Sequence, residues 1–126
     1  VIAAAREVIA VAEKDGVTIE KIQGRNIGKI LKKGGAIKEA FLRIALPFFV
    51  KTHKNSVSGM LLDLKRGRKC EIDFITGAVS AAGRRLNVPT PYCDKITEIV
   101  HGIENGIYET SEENADFLLH PEKNFD

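Results

Sequence analysis

Apolar residues recur at three- and four-residue intervals through most of the chain. Ile2, Ala5, Val8, Ile9 and Ala12 predict a helix over Ile2–Lys14, with Gly16 as its stop. Thr18 is an N-cap candidate for a second helix carrying Ile19, Ile22, Ile27, Ile30 and Leu31, with Gly24 and Gly28 weakening its continuity. Gly34-Gly35 marks a break. A third helix is expected from Ile37, through Phe41, Ile44, Ala45 and Phe48, with Pro47 as a kink or boundary. A turn-like stretch, Lys54 to Gly59, precedes the short apolar run Met60-Leu61-Leu62. The strongest pattern is Ile72, Ile75, Val79, Ala82 and Leu86, read as one helix. Thr90 with Pro91 just inside opens the last one, whose stripe is Ile96, Ile99, Val100 and Ile103 and whose end is Gly106. From Glu109 to Asp126 the chain is acidic and is expected to be extended or loosely packed. No window alternates like a strand, and no repeat is visible. The expected fold is all-α, a helical bundle.

Composition narrows the class. The chain has 126 residues, the size of one domain, with 44% apolar and 29% charged residues, which excludes a disordered tail. No apolar run approaches the ~20 residues of a membrane-spanning helix. Two cysteines, Cys70 and Cys93, are too few for a disulfide scaffold and are expected to be free thiols in a reducing, cytoplasmic setting. A start on Val1, inside an amphipathic pattern, gives the expectation of a piece of something longer. The net charge of +2 hides an asymmetry. Residues 1–70 carry 15 Lys and Arg against 6 Asp and Glu, and residues 71–126 carry 4 against 11. A basic face could meet an anion, or could simply be a solvated helix surface.

Most chemical motifs fail on inspection. Gly24-Arg25-Asn26-Ile27-Gly28-Lys29-Ile30 is one residue short of a phosphate-binding loop, and Ile30 stands where Ser or Thr would hold magnesium. No G-x-G-x-x-G dinucleotide fingerprint occurs. His53, His101 and His120 are too scattered to read as metal ligands, and neither cysteine sits in a C-x-x-C pair. The stretch from Ser56 to Pro91 is richer. It joins a small, polar turn to a helix whose first turn holds Glu71 and Asp73, where the helix dipole favours anions. Ser56, Ser58 and Glu71 converge if residues 60–70 fold back, and such hydroxyls with one carboxylate suit a hydroxylated ligand.

That stretch resembles the C-terminal helical domain of the ketopantoate reductases, itself of the 6-phosphogluconate dehydrogenase C-terminal-like kind. The residues that carry the resemblance are Gly59-Met60-Leu61-Leu62-Asp63, Arg66-Gly67-Arg68, Glu71-Ile72-Asp73-Phe74-Ile75-Thr76-Gly77 and Val88-Pro89-Thr90-Pro91. It covers roughly residues 1–105 and is specific from Ser56 to Pro91. The resemblance implies reduction of 2-dehydropantoate, or a related 2-keto acid, to (R)-pantoate with hydride from NADPH, in pantothenate and coenzyme A biosynthesis. It implies an N-terminal Rossmann domain, absent from this chain, that binds most of the NADP cofactor. It makes residues 1–108 the helical domain and 109–126 an acidic tail. The family's cofactor-contacting glutamate falls on Glu71, and its substrate-binding turn on Ser56, Val57, Ser58 and Gly59. Its general-acid lysine lies upstream of Val1, so no residue of this chain is assigned a catalytic role and the chain alone is expected to be inactive.

Three positions depart from the family pattern: Gly59 for Ser, Leu62 for Gln and Thr76 for Asn. A severed helical domain would expose the surface that met its partner domain, so self-association as a homodimer is open to it. Two rival readings remain. One is a stand-alone, non-catalytic helical module that docks to a partner. The other is a basic nucleic-acid-binding module using Lys29, Lys32, Lys33, Lys65, Arg66 and Arg68, which few aromatics and no helix-turn-helix signature support.

Overall fold

The computed structural model describes residues 2–20, 24, 26–32, 34–35, 39–40, 59–119 and 121, without the side chain of Ile27. Among them are helices and no strand. The helices are α1 (Ile2–Lys14), α2 (Ile27–Leu31), α3 (Gly59–Lys65), α4 (Thr76–Leu86) and α5 (Pro91–Glu104). A 3-10 turn (Ile72–Phe74) precedes α4, and a 3-10 helix (Glu112–Leu118) comes after α5. The all-α expectation holds. Of the third helix expected from Ile37, Glu39 and Ala40 are described and are helical, and the rest lies outside the described residues.

The core is the three-way junction of α1, α4 and α5, which pack against one another in every pairing. Ile9 and Val11 of α1, Ile72 ahead of α4, and Cys93 and Ile99 of α5 are its buried apolar members. Fully burying one such side chain is worth about 1.5–3 kcal/mol. Helix α1 ends as the pattern predicts, with Gly16 at a φ of 79°. The second helix does not. Thr18 to Glu20 are not helical, and a new start is made at Asn26, whose Oδ1 accepts the Lys29 backbone N–H at 3.0 Å. Gly24, at a φ of 76°, separates the two stretches. Arg6 ties α1 to the end of α2 and to Glu39, its Nε donating to the Leu31 carbonyl at 2.6 Å and its Nη2 meeting the Glu39 carboxylate at 2.6 Å.

The segment before α4 also differs from its expected form. The apolar pattern predicts one helix from Ile72, yet the backbone breaks at Ile75 (φ −107°, ψ −96°) between the 3-10 turn and α4. The shift in helical phase leaves Ile75 48% exposed, although its spacing places it in the core. Helix α4 ends on Asn87 in the left-handed region, with the Val88 N–H on the Gly83 carbonyl at 2.9 Å. The return loop then runs so close that a Cβ on Gly83 would stand 2.7 Å from the Val88 oxygen and the Thr90 methyl. Only glycine fits there.

Helix α5 starts at Pro91 and stops at Glu104 as its signals predict. Its cap is not Thr90, which makes no capping bond. Both oxygens of Glu7, on α1, accept instead, from the Tyr92 and Cys93 N–H groups at 2.8 Å each. A link from α4 runs through hydroxyls. Thr97 Oγ1 donates to the Cys93 carbonyl at 2.9 Å, so in its 2.7 Å contact with Thr76 Oγ1 the threonine at 76 is the donor. Thr76 thereby has a structural role of its own. The acidic tail is not simply extended. Residues Glu112–Leu118 form the 3-10 helix, the Phe117 ring packs at a tilt against Tyr108 with centroids 5.8 Å apart, and the Tyr108 ring lies over Gly102 of α5.

Candidate functional site

Glu71 stands at the head of the 3-10 turn, exposed, with its side chain capping nothing. Among the described residues its carboxylate has no hydrogen-bond or ion-pair partner. Because α4 proper begins five residues later, at Thr76, the helix-dipole role expected for Glu71 and Asp73 is not realised. The residues around it are held, however. The Cys70 N–H donates to Glu104 Oε1 at 2.7 Å, Ile72 is 3% exposed in the core, and Asp73 Oδ1 lies 2.9 Å from His101 Nε2. The turn closes on itself through the Phe74 N–H and the Glu71 carbonyl, 3.0 Å apart.

The electrostatics derive from these contacts. The Cys70 backbone N–H, with help from His101 and Lys69, holds the Glu104 carboxyl below the usual carboxylate range. Burial, with the nearby Glu104 carboxylate, pushes the Cys70 thiol up. Neither cysteine is bridged. Cys93 is fully buried, and burial together with Glu7 and Asp94 pushes its thiol up to about 12. That leaves it inert as a nucleophile near neutrality. No group of three or more His, Cys, Asp or Glu that could hold a metal ion occurs among the described residues.

Next to Glu71 the surface is apolar and open, with Phe74 85% exposed and Ile75 48% exposed. On the other side, α3 ends in a turn that reverses through Gly67 (φ 66°), with the Arg68 N–H on the Asp63 carbonyl at 2.8 Å. Lys65, Arg66, Arg68 and Lys69 are all exposed on that turn. A groove of about 690 Å³ lies between α4 and α5, with Asp73 and His101 in its wall and in its lining the buried Ser80 hydroxyl, which has no partner among the described residues.

Of the substrate-turn residues expected from the sequence, Ser56, Val57 and Ser58 lie outside the described residues, and with them the expected convergence of Ser56, Ser58 and Glu71. Gly59 is described as the exposed first residue of α3, with open space where a Cβ would stand. Sequence reasoning missed Glu104 and His101. Their one signal is an i, i+3 spacing that puts them on one side of the last turn of α5.

Comparison with known proteins adds to this geometry. Residues 1–104 match the family model described as ketopantoate reductase PanE/ApbA C terminal. The chain belongs to that family. Among curated relatives, the 2-dehydropantoate 2-reductase of Lactococcus lactis is 54% identical over 41 residues, 32% of this chain and 13% of that protein. The enzyme of the same name from Streptococcus pyogenes serotype M3 is 57% identical over 37 residues, 29% of the chain and 12% of the relative. That of Mesorhizobium japonicum is 43% identical over 58 residues, 44% of the chain and 17% of the relative. The matched segments are thus under a fifth of each relative's length. No solved structure gives a significant match. Among the described residues no helix is long and apolar enough to cross a membrane.

Proposed function

We propose that this chain is the substrate-side helical domain of an NADPH-dependent 2-dehydropantoate 2-reductase, reducing 2-dehydropantoate or a close 2-keto acid to the (R)-hydroxy acid. The observation that carries the reading is the family match over residues 1–104, which includes the turn where the Glu71 carboxylate has no partner among the described residues. NADPH, when bound, supplies the hydride. An ionised carboxylate is an acceptor only, so Glu71 suits a ribose hydroxyl or an amide N–H of the cofactor. The turn Ser56, Val57, Ser58 and Gly59 holds the keto acid, and binding by both partners orients the ketone toward the nicotinamide. The general acid and the Rossmann fold belong to an N-terminal partner domain. The exposed Phe74 and Ile75 beside Glu71 support a surface that this domain covers. Residues 1–108 then serve as the domain and 109–126 as its acidic tail, in a cytoplasmic enzyme.

Substrate-dependent NADPH oxidation tests the reading. The 126-residue chain alone should show none, and the chain joined to its Rossmann domain should show it. A charge-assisted hydrogen bond is worth about 1.5–3 kcal/mol, so Glu71→Ala in the joined enzyme should lower kcat/KM by about tenfold or more. Since Glu71 is exposed and caps nothing, the stability change should stay within about 0.5 kcal/mol. Oxidation by the chain alone, or unchanged kinetics for Glu71→Ala, would overturn the proposal.

A further inference from the structure

The turn that carries Glu71 is short, closed by the Phe74 N–H on the Glu71 carbonyl and anchored in the core by Ile72. It is a three-residue 3-10 segment that ends in the break at Ile75 rather than running into α4. Among the described residues, the polar side chains that restrain it come from one place. Glu104 accepts the backbone N–H of Cys70 at 2.7 Å, and His101 meets the Asp73 carboxylate at 2.9 Å. These two residues are one turn apart at the end of α5, so they present their side chains on the same side. Their targets bracket Glu71, with one residue before it and one two places after it gripped. Between the two grips Ile72 points inward, 3% exposed, while Glu71 stays outside.

We propose that Glu104 and His101 are positioning residues for Glu71, the last turn of α5 acting as a clamp that fixes where its carboxylate is presented. The inference rests on the reading of Glu71 as a cofactor contact. Its physical basis is that the Cys70 N–H and the Asp73 carboxylate each set one end of a short arc, so releasing either lets the arc swing. Displacement of a binding group by about 1 Å can cost orders of magnitude in efficiency. The depressed Glu104 carboxyl keeps it ionised and accepting through the neutral range. Glu104 does not touch the cofactor in this scheme; it acts through the Glu71 turn.

Two measurements test the clamp. In the 126-residue chain, amide hydrogen exchange at Cys70 should quicken by about tenfold in Glu104→Ala, while the Ile99 amide, in the core part of α5, stays unchanged. In the joined reductase, Glu104→Ala should raise the KM for NADPH by about tenfold with kcat little altered, and Glu104→Gln, which keeps an acceptor oxygen, should recover most of the loss. His101→Ala should shift KM in the same direction. The deciding arm is the double variant. If Glu104 acts through Glu71, Glu104→Ala adds nothing in a Glu71→Ala background; a general structural role would multiply the two factors and overturn the proposal. Unchanged Cys70 exchange would overturn it as well. If Glu71→Ala by itself leaves the KM for NADPH intact, the reading of Glu71 has failed, and Cys70 exchange alone then decides whether the clamp exists.

Discussion

Glu7 on α1 reaches the start of α5 and accepts the Cys93 N–H on Oε2 at 2.8 Å while its other oxygen accepts that of Tyr92 at 2.8 Å. One carboxylate thus satisfies two of the N–H groups that every helix leaves open at its start, from a residue 85 and 86 positions away. The bond ties the first and last helices of the core together. It is worth more than a local cap for that reason, because breaking it loosens a tertiary junction.

Glu7→Ala should therefore cost about 2 kcal/mol, the upper end for losing a helix N-cap. For a domain of this size the melting temperature should fall by several degrees. Glu7→Gln keeps one acceptor oxygen and should lose about half as much. Denaturant melts of the three proteins check the order, and a Glu7→Ala protein as stable as the parent would contradict it.

Cys93 carries a pH dependence whose sign is fixed. Its thiol is raised in the folded chain from an ordinary value of 9.0 to about 12, first by burial and then by the Glu7 carboxylate. A raised acid favours the neutral form, so its contribution is fully present below pH 9 and is lost as pH climbs toward about 12. Across that window each pH unit should cost about 1.4 kcal/mol more in the parent than in Cys93→Ala, which has nothing to ionise there. Urea melts of both proteins at pH 8, 9.5 and 10.5 measure the difference. Parallel curves would refute the buried-thiol account. In the native chain at pH 8, alkylation should modify Cys70 well before Cys93, which is fully buried.

Gly83 is a test of close packing. A methyl group there would meet the Val88 carbonyl oxygen and the Thr90 methyl at 2.7 Å, and backbone cannot step aside as a flexible side chain can. Glycine-to-alanine in a helix normally gains about 1 kcal/mol. Here Gly83→Ala should instead lose about 1–3 kcal/mol through overpacking, with the loop 87–90 pushed off α4. A stabilised Gly83→Ala protein would show that the loop yields freely.

The helices that read most clearly from the sequence are those whose signals are local. Ile2–Lys14 with Gly16, and Pro91–Glu104 after Thr90, stand where spacing and end residues place them. The features that pattern alone misses are set by contacts distant in sequence. Thr90 looks like a cap, but the bonds come from Glu7. Ile72 and Ile75 share a helical stripe on paper, yet the break at Ile75 keeps one in the core and turns the other outward. Thr18 is a good start signal overridden by Asn26, whose own side chain closes the first turn of α2. For the site, the motif around Glu71 is legible because its residues are contiguous. The grip of Glu104 on Cys70, 34 residues apart, has no counterpart in any local pattern.

Gly59 offers a gain-of-function test of the proposed substrate turn. The resemblance puts a serine at this position in many family members, and this chain lacks that hydroxyl. The position opens α3, is exposed, and has none of the described residues within 4 Å of where a Cβ would stand, so Gly59→Ser meets no steric cost from them. Serine also loses less backbone entropy than glycine on entering a helix, so the melting temperature should be unchanged or slightly higher. If the turn at residues 56–59 holds the keto acid, an added neutral hydrogen bond of about 0.5–1.5 kcal/mol should lower the KM for 2-dehydropantoate by about two- to tenfold in the joined reductase. The KM for NADPH, read on the same preparation, should not move, because Glu71 is untouched. A Gly59→Ser enzyme with unaltered keto-acid KM and normal stability would remove this turn from the substrate site.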